Sequence, residues 1–161
     1  MMNEKMVKAI NKQLNFELES AHVYLAMQNY FASLSLEGFE KWFNVQYKEE
    51  VEHAEKFMGY LNDRGQRVEI TGFESPQNEF KSVLEVLETS LNHEKEVTRR
   101  INELMTLAIE LNDYASISFL QWYVDEQVEE EANFSALIDK VKMMDGKGLF
   151  MLDHQLGKRE E

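Results

Sequence analysis

Four glutamates and one histidine stand on helix faces that otherwise carry apolar side chains. Glu17 falls in the run Ile10, Leu14, Glu17, Ala21, Tyr24, and Glu50 with His53 interrupts Phe39, Phe43, Gln46, Phe57. Glu94 lies between Leu87, Leu91 and Val97, Ile101, Leu104, while Gln127 and Glu130 lie between Leu120, Tyr123 and Phe134, Leu137. Each stripe keeps the three-or-four-residue spacing of one helix face, so the carboxylates point where the apolar residues point. A buried unpaired carboxylate costs several kcal/mol or takes up a proton, and too few Lys or Arg share these stripes to neutralise them. Glutamates and a histidine converging from four helices are the donor set of a carboxylate-bridged two-metal centre.

The spacing also suggests a division of labour. Glu50 is the natural bridge between two cations, because His53 follows it by one turn. Glu17 would complete one metal, and Glu94 with Glu130 the other. One Glu-x-x-His alone arises by chance on charged helices; the core-facing glutamates on the other helices give the motif its weight. Oxygen donors with a single imidazole suit iron or manganese, and open positions would admit dioxygen. Glu49, Glu126 and Glu129 adjoin this set and are either a third, more exposed cation site or a solvated acidic face. Glu52, Glu55 and Glu131 read as a solvated face. Tyr24, two turns from Glu17, is either a donor to the centre or a core tyrosine; Trp122 and Tyr123 lean towards core. His22, His93 and His154 read as surface or packing residues, and the nine methionines as core filling.

The elements that must position these residues are five helices, predicted near 3–33, 35–64, 82–111, 113–144 and 148–156 and numbered α1 to α5, in one domain spanning 1–161. Asn3 is a good N-cap for α1; Ser35 is expected to cap α2, with Leu34 stapled on Phe39; Ser82-Val83-Leu84-Glu85 is a capping box for α3. Gly65 supplies a left-handed cap to end α2, and Gly146 with Gly148 sets off the short α5. Glu17 and Glu50 stand at equal distance from the α1–α2 turn, as do Glu94 and Glu130 from the α3–α4 turn, so each hairpin places its own donors at one level. The connection from Gln66 to Lys81 lacks periodicity and needs a reason to be so long. At roughly 3.3 Å per residue it could cross the whole bundle and leave α2 parallel to α3. A plain up-down-up-down bundle with a slack loop is the other possibility.

Composition narrows the partners. The 161 residues are 43% hydrophobic, enough for one folded domain. Thirty acidic residues against 17 basic ones give a formal charge of −13, which disfavours nucleic acid and anionic membranes and favours cations. Cysteine is absent, so disulfides and thiolate ligands are excluded. No apolar run has the length of a bilayer span and no signal peptide is recognisable, which makes a cytoplasmic protein the expectation.

On these residues the chain resembles the bacterial non-haem ferritins over nearly its whole length. The resemblance implies an all-α fold: a ferritin-like four-helix bundle with a long crossover between the second and third helices and a short fifth C-terminal helix. It implies paired ferroxidase irons at Glu17, Glu50, His53, Glu94 and Glu130, with Gln127 beside them, and a third iron at Glu49, Glu126 and Glu129. It also favours a functional role for Tyr24. The implied activity is oxidation of Fe(II) by O2 or H2O2, with ferric mineral stored in a homo-oligomeric shell of 24 subunits. Bacterioferritins are less similar: they carry a second Glu-x-x-His, where this chain has Gln127-Val128-Glu129-Glu130, and a haem-binding methionine after the bridging glutamate, where this chain has Val51. Haem is therefore not expected. Rubrerythrins add a cysteine-bound iron that this chain cannot hold. Two other readings stay open: a bundle that binds divalent cations only for stability, and a diiron oxygenase acting on an organic substrate without forming a cage.

Overall fold

In the computed structural model, which describes residues 1–161 apart from the surroundings of Gly146, the helices are α1 Glu4–Ser33, α2 Glu37–Asp63, α3 Val83–Glu110, α4 Tyr114–Lys142 and α5 Gly146–Leu156. No strand occurs among the described residues. The Asn3 side chain accepts from the Lys5 amide, and Ser82 accepts from the Glu85 amide at 3.1 Å, so both satisfy first-turn N–H groups. The Glu85 carboxylate reaches back to the Lys81 amide, one residue earlier than in the ideal capping box.

Three helices end in the same way. Ser35, Gly65 and Asn112 adopt left-handed φ values of 57°, 69° and 53° just beyond α1, α2 and α3. In each case the next amide reaches back five residues: Leu36 to Phe31, Gln66 to Leu61 and Asp113 to Ala108. These are Schellman ends, which satisfy orphan carbonyls and reverse the chain. They also correct one expectation. Ser35 closes α1 and does not cap α2, whose first residue is preceded by Leu36 with no side-chain cap bond. Leu34 is 46% exposed, and the apolar contact of the turn is made instead by Leu36, buried in the same cluster as Phe31. A serine in the left-handed region has its backbone set by the turn, so it is out of place for capping the next helix.

The long connection runs along α1. Asn11 bonds the backbone of Arg67 and Glu69, Asn15 that of Glu69 and Thr71, His22 meets Phe73 edge-on, and Tyr30 meets Phe80. Contacts thus climb α1 from its N-terminal third to its C-terminal end, about 28 Å at helical rise. The crossover therefore returns the chain to the end where α2 began, and α2 and α3 run parallel. Buried asparagines on α1 supply the donors and acceptors that an irregular segment lacks within itself.

The core is divided into two apolar clusters. One gathers Tyr24, Phe31, Phe39, Phe43, Leu87 and Phe134 with Leu152 and Leu156 of α5; the other gathers Met6, Ile10, Leu14, Phe57, Ile101, Leu120 and Tyr123. Between them, at mid-height on all four long helices, lies a layer of polar side chains. Among the described residues, no helix is long and apolar enough to cross a membrane.

Candidate metal centre

That layer is built from Glu17 of α1, Glu50 and His53 of α2, Glu94 of α3, and Gln127 and Glu130 of α4, none more than 5% exposed. Each sits where helical periodicity turns it inward between apolar neighbours, so burial is imposed by the same packing that forms the bundle. The His53 ring holds the middle. Its Nδ1 lies 3.5 Å from Glu50 Oε2 and 3.9 Å from Glu17 Oε2, while Nε2 lies 3.9 Å from Glu126 Oε1. Two groups of donor atoms each come within 4.8 Å of one another: Glu17, Glu50 and His53, and His53, Glu126 and Glu130. Tyr123 fixes this part of α2 by donating to the His53 carbonyl at 2.7 Å.

Glu94 is held differently. Its Oε1 accepts from the Tyr24 hydroxyl at 2.5 Å, and its Oε2 accepts from Gln127 Nε2 at 3.0 Å. Tyr24 therefore touches the acidic layer directly and is also part of the upper core, stacked 5.9 Å from Phe134. Of the second acidic set, Glu126 joins the His53 group, Glu49 is half-buried and bonded to Arg159, and Glu129 is exposed. Glu131 is not the freely solvated residue that the spacing predicts: half-buried, it accepts from Thr98 Oγ1 at 2.6 Å. His93 is a packing residue, stacked 5.3 Å from Phe16 and bonded to Ser20, and burial lowers its pKa to about 4. His22 and His154 are exposed.

The electrostatics follow from crowding acids in a dry layer. Burial, and then the charge of Glu50, raises the Glu17 carboxyl well above its ordinary range. Burial and the charges of Glu94 and Glu130 do the same to Glu50. Glu130 is pushed up to about 8 by burial and by Glu94. Glu94 is raised mainly by burial, against the pull of the donors Tyr24 and Gln127. Glu126, less buried, is raised by the same cause, and Tyr24 is raised well above the usual phenol range by burial and by Glu94. Like charges in low dielectric cannot all ionise without a cation among them. Glu17 Oε2 makes the point at a single atom: fully buried, it has no hydrogen-bond partner. Hard oxygen donors around one imidazole, with an orphan acceptor, fit a divalent transition metal.

Three side chains that spacing did not single out support this layer. Gln13 donates to Glu17 Oε1 at 3.0 Å; Gln46 donates to Glu130 Oε2 at 2.8 Å and faces Glu50 Oε1 at 3.4 Å; Thr98 Oγ1 accepts from Gln127 and donates a hydrogen bond to Glu131. Gln13 and Gln46 each precede a candidate ligand by four residues on the same face, which is the signal that could have found them. Arg159 had no such signal.

The profile of the family described as Ferritin-like domain matches residues 7–144. A probable bacterial non-heme ferritin-like protein of Haemophilus influenzae is 43% identical over 159 residues, covering 98% of this chain and 96% of that one. A bacterial non-heme ferritin of Staphylococcus aureus is 42% identical over 161 residues, covering 99% and 97%. Among solved structures, an open pore ferritin from the archaeon Archaeoglobus fulgidus superposes with a TM-score of 0.97 at 42% identity, covering 99% of this chain and 100% of that one. A humanized archaeal ferritin gives 0.99 at 41% identity over the whole of both chains.

Proposed function

This chain belongs to the ferritin family, and from that premise we propose that it stores iron, oxidising Fe(II) at the buried acidic layer and holding the Fe(III) product as mineral inside a shell of 24 subunits. The observation that carries the reading is the unpartnered, fully buried Glu17 Oε2 beside two further carboxyls, Glu50 and Glu130, that burial and mutual repulsion push towards their protonated forms. Two Fe(II) ions entering the layer displace those protons and give each acid the counter-charge it lacks. Glu50 bridges the two, Glu17 and His53 complete one side, and Glu94 and Glu130 complete the other. Gln127 and Tyr24 hold the Glu94 carboxylate from opposite oxygens, Tyr24 by donating its hydroxyl hydrogen bond to Oε1. Each Fe(II) gives up one electron; O2 takes two electrons and two protons to become H2O2, or H2O2 takes two electrons and two protons to become water. Glu49, Glu126 and Glu129 form a third, more exposed iron site between this layer and solvent.

Two further features agree with a storage shell. On α5, Phe150 and Met151 are 75% and 68% exposed while Leu152 and Leu156 are buried on the bundle. A helix of this length with apolar side chains on both sides calls for a second covering surface, which other copies of the chain supply. The charge of −13 concentrates cations inside a closed particle. We place the shell in the cytoplasm, with no haem. The deciding experiment is aerobic addition of Fe(II) to the purified protein with light scattering of the same sample. An amber product, oxidant consumption and a particle of two dozen subunits support storage. A colourless solution assigns the layer to a cation-binding bundle, and oxidation by a monomer or dimer removes the storage role.

A further inference from the structure

Beyond α5 the chain turns back along α2, and Arg159 lands beside the acidic layer. Its guanidinium lies 4.1 Å from the Trp42 ring centroid and donates to the Trp42 carbonyl at 3.2 Å. It also donates to Gln46 Oε1 at 3.2 Å and to Glu49 Oε2 at 2.8 Å. Residues 42, 46 and 49 form one stripe of α2, and the arginine spans it. Glu161, two residues on, pairs with Lys48 and ties the same segment down. The Arg159 side chain is only 17% exposed, so this is a seated cation and not a loose surface charge.

Two consequences follow from the chemistry of the contacts. First, the charge of Glu49 acts on Glu50, Glu126 and Glu130, and Arg159 supplies the counter-charge on that side of the layer. Second, arginine can only donate, so the Gln46 atom facing it must be the carbonyl oxygen. The Gln46 NH2 is thereby turned to Glu130 and Glu50. A reversed amide would set its oxygen against the Glu130 carboxylate and its NH2 against the guanidinium.

We propose that Arg159 is a positioning residue of the metal centre: its guanidinium holds Glu49 in place of a cation and orients Gln46 towards Glu50 and Glu130, and it competes with a third metal for Glu49. This rests on the assignment of the third site to Glu49, Glu126 and Glu129. Arg159 then sets the order of filling. The two buried positions load first, and the third loads only when the gain at Glu49 exceeds the loss of the arginine contacts.

The test uses the assembled, metal-free protein and Zn2+ alone as a redox-inert probe. Calorimetric titration of the native protein and of Arg159→Gln counts the bound ions and their affinities. The expected result is a third event tightened roughly tenfold by Arg159→Gln, the equivalent of one charge-assisted hydrogen bond removed from competition, with no such gain when Glu49→Gln is added. In a Trp122→Phe background, where Trp42 is the remaining tryptophan, its fluorescence should change at the third equivalent with Arg159 present and stay constant with Arg159→Gln. A third ion of equal affinity in both proteins, a gain that survives Glu49→Gln, or silent Trp42 fluorescence overturns the role of Arg159 while leaving the third site standing. Two ions in both proteins overturn the third-site assignment and this inference with it.

Discussion

Metal loading of this centre should release protons, in a number the buried layer sets. At pH 6.5 a carboxyl whose pKa is about 8, as at Glu130, has roughly thirty protonated copies for each ionised one. Burial raises Glu17 and Glu50 well above the usual carboxylate range, with the charge of Glu50 adding at Glu17 and the charges of Glu94 and Glu130 adding at Glu50, so they also enter the titration as acids. Filling the two buried positions with Zn2+ at pH 6.5 is therefore expected to expel more than one proton per subunit, Glu130 giving about one and Glu17 with Glu50 the rest. Glu94, whose ionised form is favoured by Tyr24 and Gln127, adds at most one more. The release must fall as pH rises through about 8, because Glu130 then arrives already ionised. Titration of the metal-free protein in a weakly buffered indicator solution reads the number directly. Glu130→Gln should lower it by about one or slightly more, since removing that charge also relaxes Glu50. Fewer than one proton per subunit at pH 6.5, or a release that grows with pH, would refute the idea that the layer waits as neutral acids for its cations.

Replacing Glu50 with Ala should slow initial Fe(II) oxidation by more than the roughly 10–100-fold that outer-shell changes cost, with circular dichroism and particle size unchanged; stopped-flow absorbance at native speed would remove Glu50 from the centre. Changing Glu49, Glu126 and Glu129 together to Gln should leave two tightly bound ions per subunit in place of three, and a third ion surviving in anaerobic titration places that site elsewhere. Thermal stability should also respond to pH. For Glu130 the folded pKa of about 8 lies above the ordinary 4.5, so its contribution is complete below about 4.5 and disappears as pH rises through 8. The metal-free protein should therefore melt at a lower temperature at pH 8 than at pH 5, and the Zn2+-loaded protein should lose most of that difference.

Helix periodicity and turn chemistry alone locate the long helices, turn Glu17, Glu50, His53, Glu94, Gln127 and Glu130 into the bundle, and place the donors of each hairpin at one level. Those are properties of residue spacing, and spacing is written in the chain. What tertiary structure decided lies between elements, where no period applies. The crossover follows α1 because Asn11 and Asn15 bond its backbone. Ser35 ends one helix and does not begin the next, because the reversal needs a residue at φ 57° in that place. Glu94 faces Tyr24 and Gln127 and not the His53 groups. Arg159 reaches Glu49 only because α5 and the segment after it fold back on α2, bringing together residues that lie 110 positions apart. Such pairings depend on how whole helices dock, and the docking is set by the summed burial of two apolar clusters rather than by any local pattern of residues.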